Sequence, residues 1–242
     1  MRVVAIIQAR MGSTRLPGKV LCDLAGRPML ARVAARAARI EGVDQVVVAT
    51  TDSAADDPLV ALCEAGGWAC FRGSVADVLD RYWRAAGTFD ADAVMRITSD
   101  CPLIDPRVSA RVLRELLDGG GQVDYASNTI EPRTFPRGLD TEVFTLKALG
   151  RAWAEAPPGG AREHVTPWMY GHPAAFRLRA VRDKTDRSSL RWTVDTPEDL
   201  ELVRRIYGHF GDDRFAWTDV LKLLERQPEL LEINRHVRQK AT

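Results

Sequence analysis

The sequence predicts an α/β fold: a mixed, mainly parallel sheet covered by helices on both faces, with a small β-rich insertion. Three observations predict it. Short apolar runs without polar alternation recur through the first half of the chain, as in strands buried on both faces. Each is followed by a stretch whose apolar residues fall three and four apart, the mark of a helix with one buried stripe. The second half is less regular, with shorter apolar runs between Pro- and Gly-rich breaks, and the insertion is placed there, at about residues 125–185.

Val3 to Ile7 reads as the first buried strand. It enters a loop, Gln8-Ala9-Arg10-Met11-Gly12-Ser13-Thr14-Arg15-Leu16-Pro17-Gly18-Lys19, that carries three cations, two glycines and two hydroxyls. Backbone N–H groups and positive charge after a buried strand suit a polyphosphate. This is not a Walker A loop, which has four residues between its glycines and a hydroxyl after its lysine. Here five residues separate Gly12 from Gly18, and Val20 follows Lys19. A metal must therefore be held elsewhere in the chain.

Pro28 suits the first turn of a helix in which Met29, Leu30, Val33, Ala37 and Ile40 form one stripe. Val46 to Thr50 is a second strand ending in Thr51-Asp52, and Asp57 to Ala65 is a helix with Pro58 at its start. A strand at Ala69 to Phe71 turns through Arg72-Gly73-Ser74 into a helix from Val75 to Ala86. Ala91 to Ile97 is a further strand, ending in Thr98-Ser99-Asp100-Cys101-Pro102-Leu103, and a helix from Pro106 to Leu117 stops at Gly119-Gly120-Gly121. Ligands of such sheets bind beyond the C-terminal strand ends. The first loop, Asp52, Arg72 to Ser74 and Asp100 all fall there.

Further strands are expected at Tyr125 to Asn128, Thr141 to Phe144, Ala175 to Val181 and Leu190 to Val194. Helices are expected at Leu146 to Glu155, at Arg162 to Tyr170 with a distortion at Pro167, and from Pro197 to Phe210. A last helical pair covers Trp217 to Glu225 and Pro228 to Val237. Asp195-Thr196-Pro197-Glu198 is a helix start, with Asp or Thr as its cap. No linker or repeat divides residues 1–242, which read as a single domain.

Composition excludes several partners. A net charge of +1 gives no bulk attraction to nucleic acid or to a membrane surface. The apolar runs are too short to span a bilayer, and Met1-Arg2-Val3 enters a strand with no cleavage site. Cys22, Cys63, Cys70 and Cys101 form no Cys-x-x-Cys pair, which favours buried thiols in a reducing compartment. A cytoplasmic protein is expected.

Asp100 and Asp195, each at a strand end, suit a two-point oxygen site for magnesium, which takes one or two carboxylates plus phosphate oxygens and water. Asp195 has a competing use as a helix cap. Gly-x-Gly-x-x-Gly and Gly-x-Ser-x-Gly motifs are absent, which removes dinucleotide-dependent and serine-nucleophile chemistry.

Several blocks resemble the cytidylyltransferases that make CMP-activated acidic sugars of the Kdo and sialic acid type, and are most similar to their spore-coat polysaccharide F-type branch. They are Gln8 to Lys19, Arg72-Gly73-Ser74 with Asp77-Val78-Leu79, Arg96 to Pro106, Pro136 to Phe144, Arg162 to Pro167, and Arg191 to Leu200. The blocks keep their order over nearly the whole chain. The resemblance implies a three-layer, Rossmann-like nucleotide-diphospho-sugar transferase (glycosyltransferase A-like) fold and a homodimer joined through the insertion. It implies CTP on the first loop and Mg2+ between Asp100 and Asp195. By the same resemblance Arg10, Arg15 and Lys19 serve catalysis by neutralising the leaving pyrophosphate. Gln8, Ala9, Gly12, Ser13, Arg72, Gly73, Ser74 and Asp77 would contact the nucleotide, and Arg137, Glu163 and His164 an anionic acceptor. Two positions depart from the pattern: Ser99 replaces a usual glycine, and Gln8 replaces the proline of the Kdo enzymes. The expected reaction is attack of an acceptor oxygen on the α-phosphorus of CTP. The rivals are another nucleoside triphosphate, a non-catalytic nucleotide binder, or a glycosyltransferase using Asp90-Ala91-Asp92 as its metal motif.

Overall fold

The computed structural model describes residues 1–239. Among the described residues there are seven strands: β1 (Val3–Gln8), β2 (Gln45–Thr51), β3 (Ala69–Gly73), β4 (Ala93–Thr98), β5 (Tyr125–Ser127), β6 (Glu142–Thr145) and β7 (Leu178–Ala180). They form one sheet in the order β3-β2-β1-β4-β6-β5-β7. Only β6 runs against its neighbours, β4 and β5; the other pairings are parallel. The stretch expected as a β-rich insertion thus supplies β5, β6 and β7 to the main sheet.

The helices are α1 (Met29–Ala37), α2 (Asp57–Gly66), α3 (Val78–Thr88), α4 (Pro106–Leu117), α5 (Leu146–Glu155), the single turns α6 (Gly160–Glu163) and α7 (Pro167–Tyr170), α8 (Pro197–Phe210) and α9 (Trp217–Arg226). Alternate residues of β1 explain the three layers. Val3, Ala5 and Ile7 join a core with α1, α2, α4, α8 and α9. Val4 and Ile6 join another with α3, α5 and α7. Side chains on both faces of a strand are buried, so its sequence shows no alternation.

The chain leaves β1 for β2 and β3 on one side and returns to β4 on the other. The strand order therefore reverses between β1 and β4, and the crevice beyond their C-terminal ends is the place for a ligand. Gln8 and Thr98 face each other across that end.

Local departures from the sequence reading have physical causes. Arg72 and Gly73 belong to β3, and α3 starts at Val78 because Asp77 caps it, accepting from the Asp80 N–H at 2.8 Å. Leu190 to Val194 alternates like a strand, with Trp192 and Val194 buried, but apart from one isolated bridge between Arg137 and Arg191 it joins no strand ladder. Its backbone bonds go instead to Arg137 and to the Asp100 carbonyl. The helix expected over Arg162 to Tyr170 breaks into two turns at Val165, whose φ is +72°. In place of the helix expected over Pro228 to Val237, a short 3-10 turn, Pro228–Glu232, forms among the described residues after α9.

Candidate active site

The loop after β1 is folded by its own backbone. Gly18, at φ +68°, donates to the Met11 carbonyl at 3.1 Å, and a 3-10 turn at Lys19–Leu21 follows. A positive φ suits glycine. Asp56, buried at the start of α2, accepts from the Met11 N–H at 2.7 Å and from the Thr51 N–H at 3.3 Å. One carboxylate thus ties the loop to the end of β2.

These turns aim Lys19 across the end of the sheet. Its ammonium donates to Asp100 Oδ2 at 3.0 Å, Asp195 Oδ1 at 2.9 Å and the Val194 carbonyl at 2.8 Å. Three segments far apart in sequence meet at one nitrogen. Asp195 Oδ2 also receives Arg15 at 3.0 Å and Arg191 at 2.9 Å. The capping duty open to Asp195 falls elsewhere: the Thr196 hydroxyl caps α8, and Asp199 completes a capping box while binding Arg191. Asp195 is left to face the cavity. Burial alone would lower the Lys19 pKa, but the charges of Asp100 and Asp195 outweigh it and hold it above the ordinary lysine value. Burial alone would raise the Asp195 pKa, and Lys19, Arg15 and Arg191 hold it below the ordinary carboxylate value.

Gln8, Ala9, Arg10, Gly12, Ser13, Arg15, Lys19, Asp100, Asp195, Arg137, Glu163 and His164 all line one cavity of about 540 Å³. Twelve of the sixteen residues singled out in the sequence are thereby brought together. Arg72, Gly73, Ser74 and Asp77 are not in its lining. Arg72 donates to the Thr51 and Ser53 carbonyls and pairs with Asp57. Asp77 caps α3 and pairs with Arg162 at 2.7 Å. Asp92, from the glycosyltransferase rival, accepts from the Arg2 N–H at 2.6 Å where β4 begins, at the end of the strands opposite the cavity.

A second cavity, of about 800 Å³, shares Arg96, Thr98, Arg137, Asp140, His164 and Gln239 with the first. The junction depends on two backbone features. Gly138 has φ +105°, and a Cβ there would lie 2.6 Å from Thr193 N and from Trp192 C. Glycine therefore lets the Arg137 loop pass against the segment that carries Asp195. Val165, fully buried at φ +72°, lies inside a tight turn closed by the Thr166 N–H on the His164 carbonyl at 2.8 Å. Such a conformation costs about 1–3 kcal/mol in a non-glycine residue. It holds Glu163 and His164 on the cavity wall while Thr166 bonds Glu142.

Sequence reading missed part of the site. Arg96 and Glu142 pair in register across β4 and β6, and the Glu142 carboxylate also accepts from Tyr125 and Thr166. Arg96 in turn donates to Gln8 at 3.2 Å. Their signal is a lone charge inside an otherwise apolar strand. Arg191 carries the same signal, as the lone charge in Leu190 to Val194, whereas Arg81 does not, because it sits in an amphipathic helical stretch where arginine is ordinary.

Asp100 and Asp195 present oxygen donors to the same point, and that point already favours a positive charge, since Lys19 occupies it. No group of three or more metal-ligating side chains occurs among the described residues. Two carboxylates completed by phosphate oxygens and water are the pattern magnesium accepts. The site therefore fits a divalent cation.

The family model described as cytidylyltransferase matches residues 4–233. The chain is 33% identical to the spore coat polysaccharide biosynthesis protein SpsF of Bacillus subtilis, over 94% of this chain and 95% of that protein. It is 33% identical to a 3-deoxy-manno-octulosonate cytidylyltransferase of Anaeromyxobacter, over 85% of this chain and 96% of the relative. A solved structure of a cytidylyltransferase from Leptospira borgpetersenii has a TM-score of 0.92 at 31% identity, with both chains fully covered.

Proposed function

The chain belongs to the cytidylyltransferase family, and from that premise we propose that it transfers CMP from CTP to an anionic, sugar-like acceptor in surface polysaccharide biosynthesis. The observation that carries the reading is the single ammonium of Lys19 shared by Asp100 and Asp195, beside the loop after β1 and at the junction of two cavities. Phosphoryl transfer needs little covalent help from a protein; positioning and charge neutralisation do most of the work. Lys19, Arg15 and Arg10 supply that charge around the triphosphate. Asp100 and Asp195 would hold Mg2+, which when bound neutralises charge on phosphate oxygens.

The acceptor is placed in the larger cavity. Arg137 stands at the junction with no carboxylate within 4.0 Å among the described residues. Burial, and then the neighbouring Arg133, push its pKa below the usual arginine value. A cation in that setting favours an acceptor carboxylate, phosphate or phosphonate. The acceptor oxygen, already anionic or giving up its proton to solvent, attacks the α-phosphorus, the bond to the bridging oxygen breaks, and pyrophosphate leaves toward Arg10, Arg15 and Lys19.

A homodimer joined through residues 125–185 accompanies this reading, supported by Tyr170, which is 45% exposed beside the acceptor cavity. No helix among the described residues is long and apolar enough to cross a membrane. A cytoplasmic enzyme, where CTP is made, is in keeping with four free cysteines. The test is pyrophosphate release with each of four nucleoside triphosphates against keto-sugar acids, phosphonates and sugar phosphates. CTP with an anionic acceptor is expected to give the fastest release. Faster turnover of another triphosphate, or none with any acceptor, would contradict the proposal.

A further inference from the structure

Beyond the 3-10 turn that follows α9, residues 233–239 form neither helix nor strand, yet they run back to the site and are held there. Asn234 is buried, and its amide donates to the Arg191 carbonyl at 3.0 Å and to Asp199 Oδ1 at 2.9 Å. The Val237 N–H closes a turn on the Asn234 carbonyl at 2.9 Å. Further along, Gln239 lines both cavities, and its side-chain oxygen accepts from Arg191. Ordering an irregular segment costs backbone entropy, so two ties to the same arginine call for a reason.

The tie at Gln239 fixes the glutamine more than the arginine. Arg191 already gives Nε and NH2 to the buried Asp199, each at 2.9 Å, and NH2 to Asp195 Oδ2 at 2.9 Å. Its NH1 edge is what remains for Gln239. A guanidinium has donors and no acceptor, so it meets Oε1 of the amide and turns Nε2 away. Among the described residues Nε2 donates to no protein group. Gln239 is exposed, and Nε2 offers two N–H donors to the cavities that it lines. Its neighbour on that wall is Arg137. Arg137 and Arg191 are partners in a parallel bridge. The Arg137 N–H donates to the Leu190 carbonyl at 2.9 Å, and the Trp192 N–H to the Arg137 carbonyl at 2.7 Å. Residues in register put their side chains on one side of the paired backbone. Gln239, carried on Arg191, therefore stands on the same side as Arg137, and both line both cavities.

We propose that Gln239 binds the acceptor, its amide N–H groups and the Arg137 guanidinium holding the same anionic group from two sides. This rests on the acceptor lying in the larger cavity, as proposed above. The two donors differ in what they supply. Arg137 brings charge, which attracts any anion. The amide brings direction: with Oε1 committed to Arg191 it can only donate, so it accepts an oxygen there and rejects an N–H. Arg191 bonds both Gln239 and Asp195, so one guanidinium sets the acceptor contact and the carboxylate of the metal site. Losing one hydrogen bond to a charged group weakens binding by roughly 10- to 100-fold.

The test is steady-state pyrophosphate release by the wild type, Gln239→Met and Gln239→Glu. The substrates are CTP and whichever keto-sugar acid, phosphonate or sugar phosphate the wild type uses fastest. Calorimetry with CTP and Mg2+ reads nucleotide binding by itself. Circular dichroism checks the fold, and Gln239→Glu keeps an oxygen for Arg191 if Gln239→Met does not fold. Gln239→Met is expected to raise the acceptor KM by roughly 10- to 100-fold, with kcat and the Kd for CTP within about threefold of wild type. Gln239→Glu presents a carboxylate to the anionic acceptor, and its acceptor KM should rise at least as far. An unchanged acceptor KM in a folded variant would overturn the inference and leave the proposed reaction standing. A loss of CTP affinity equal to the rise in acceptor KM would make Gln239 a support of Arg191 and Asp195, and would also overturn it. A wild type that turns over no acceptor with CTP would overturn the proposed function, and this inference with it.

Discussion

Replacing Lys19 by methionine keeps the length and apolar stem of the side chain and removes only the charge. In the wild type that charge makes three hydrogen bonds, to Asp100, Asp195 and the Val194 carbonyl. Asp195 would retain Arg15 and Arg191, and Asp100 would retain the Thr98 hydroxyl at 2.5 Å. The Val194 carbonyl would lose its bond to Lys19. Deleting one partner of a buried ion pair costs about 3–5 kcal/mol when the other is stranded. Here the carboxylates keep other partners, so a loss of about 2–3 kcal/mol is expected, with Tm lower by roughly 4–12 °C.

The pH profile carries the sign. The Lys19 pKa is raised, so its contribution is complete below the unfolded lysine value of about 10.4 and disappears as pH climbs through the higher folded value. The Asp195 pKa is lowered, so its contribution is complete above the unfolded value of about 3.9 and disappears as pH falls through the lower folded value. The stability gap between wild type and Lys19→Met should therefore be flat between about pH 5 and 10 and narrow outside that window. Chemical denaturation at a series of pH values reads it. Pyrophosphate release should fall by about 10²–10³. If Lys19 were instead held in strain awaiting substrate, Lys19→Met would be more stable than wild type. That result, or a gap that grows at alkaline pH, would refute the pairing scheme.

Further substitutions probe the rest of the site. Asp56→Asn sets an amide N–H against donors now facing the carboxylate, at Met11 or Thr51. It should cost about 1–3 kcal/mol and raise the KM for CTP more than it lowers kcat, because the loop after β1 moves. An unchanged KM in steady-state kinetics would argue against that anchoring. Gly138→Ala drives a Cβ into the Trp192–Thr193 backbone, which cannot swing aside as a side chain does. Thermal melting should show a loss of about 2–4 kcal/mol, and a variant within 1 °C of wild type would show the contact to be slack. Arg137→Met should raise the acceptor KM by roughly 10- to 100-fold and leave the KM for CTP alone. The reverse pattern would move Arg137 to the nucleotide side.

Strands buried on both faces were legible because their apolar runs do not alternate, and the loop after β1 because three cations in a glycine-bearing turn have few structural uses. Leu190 to Val194 misled for a different reason: its apolar residues alternate with Arg191 and Thr193 as in a half-buried strand, a spacing that an extended segment shows whether or not it pairs. The 125–185 stretch looked separate because β5, β6 and β7 are short and interrupted, although pairing joins them to the main sheet. Asp195 was ambiguous with a cap until Asp199 proved to complete the capping box. Arg81 reads from the sequence, with Asp77 and Asp80, as lining the polar side of a helix; the structure buries it, and its isolation shows only when its surroundings are known.

The central claim is that Lys19, Asp100 and Asp195 together carry CTP-dependent transfer. Its most direct test is pyrophosphate release from CTP by Asp100→Ala under conditions where the variant is folded and saturated with CTP. A rate lower by about 10²–10³ or more is predicted. A rate close to that of the wild type would contradict the claim.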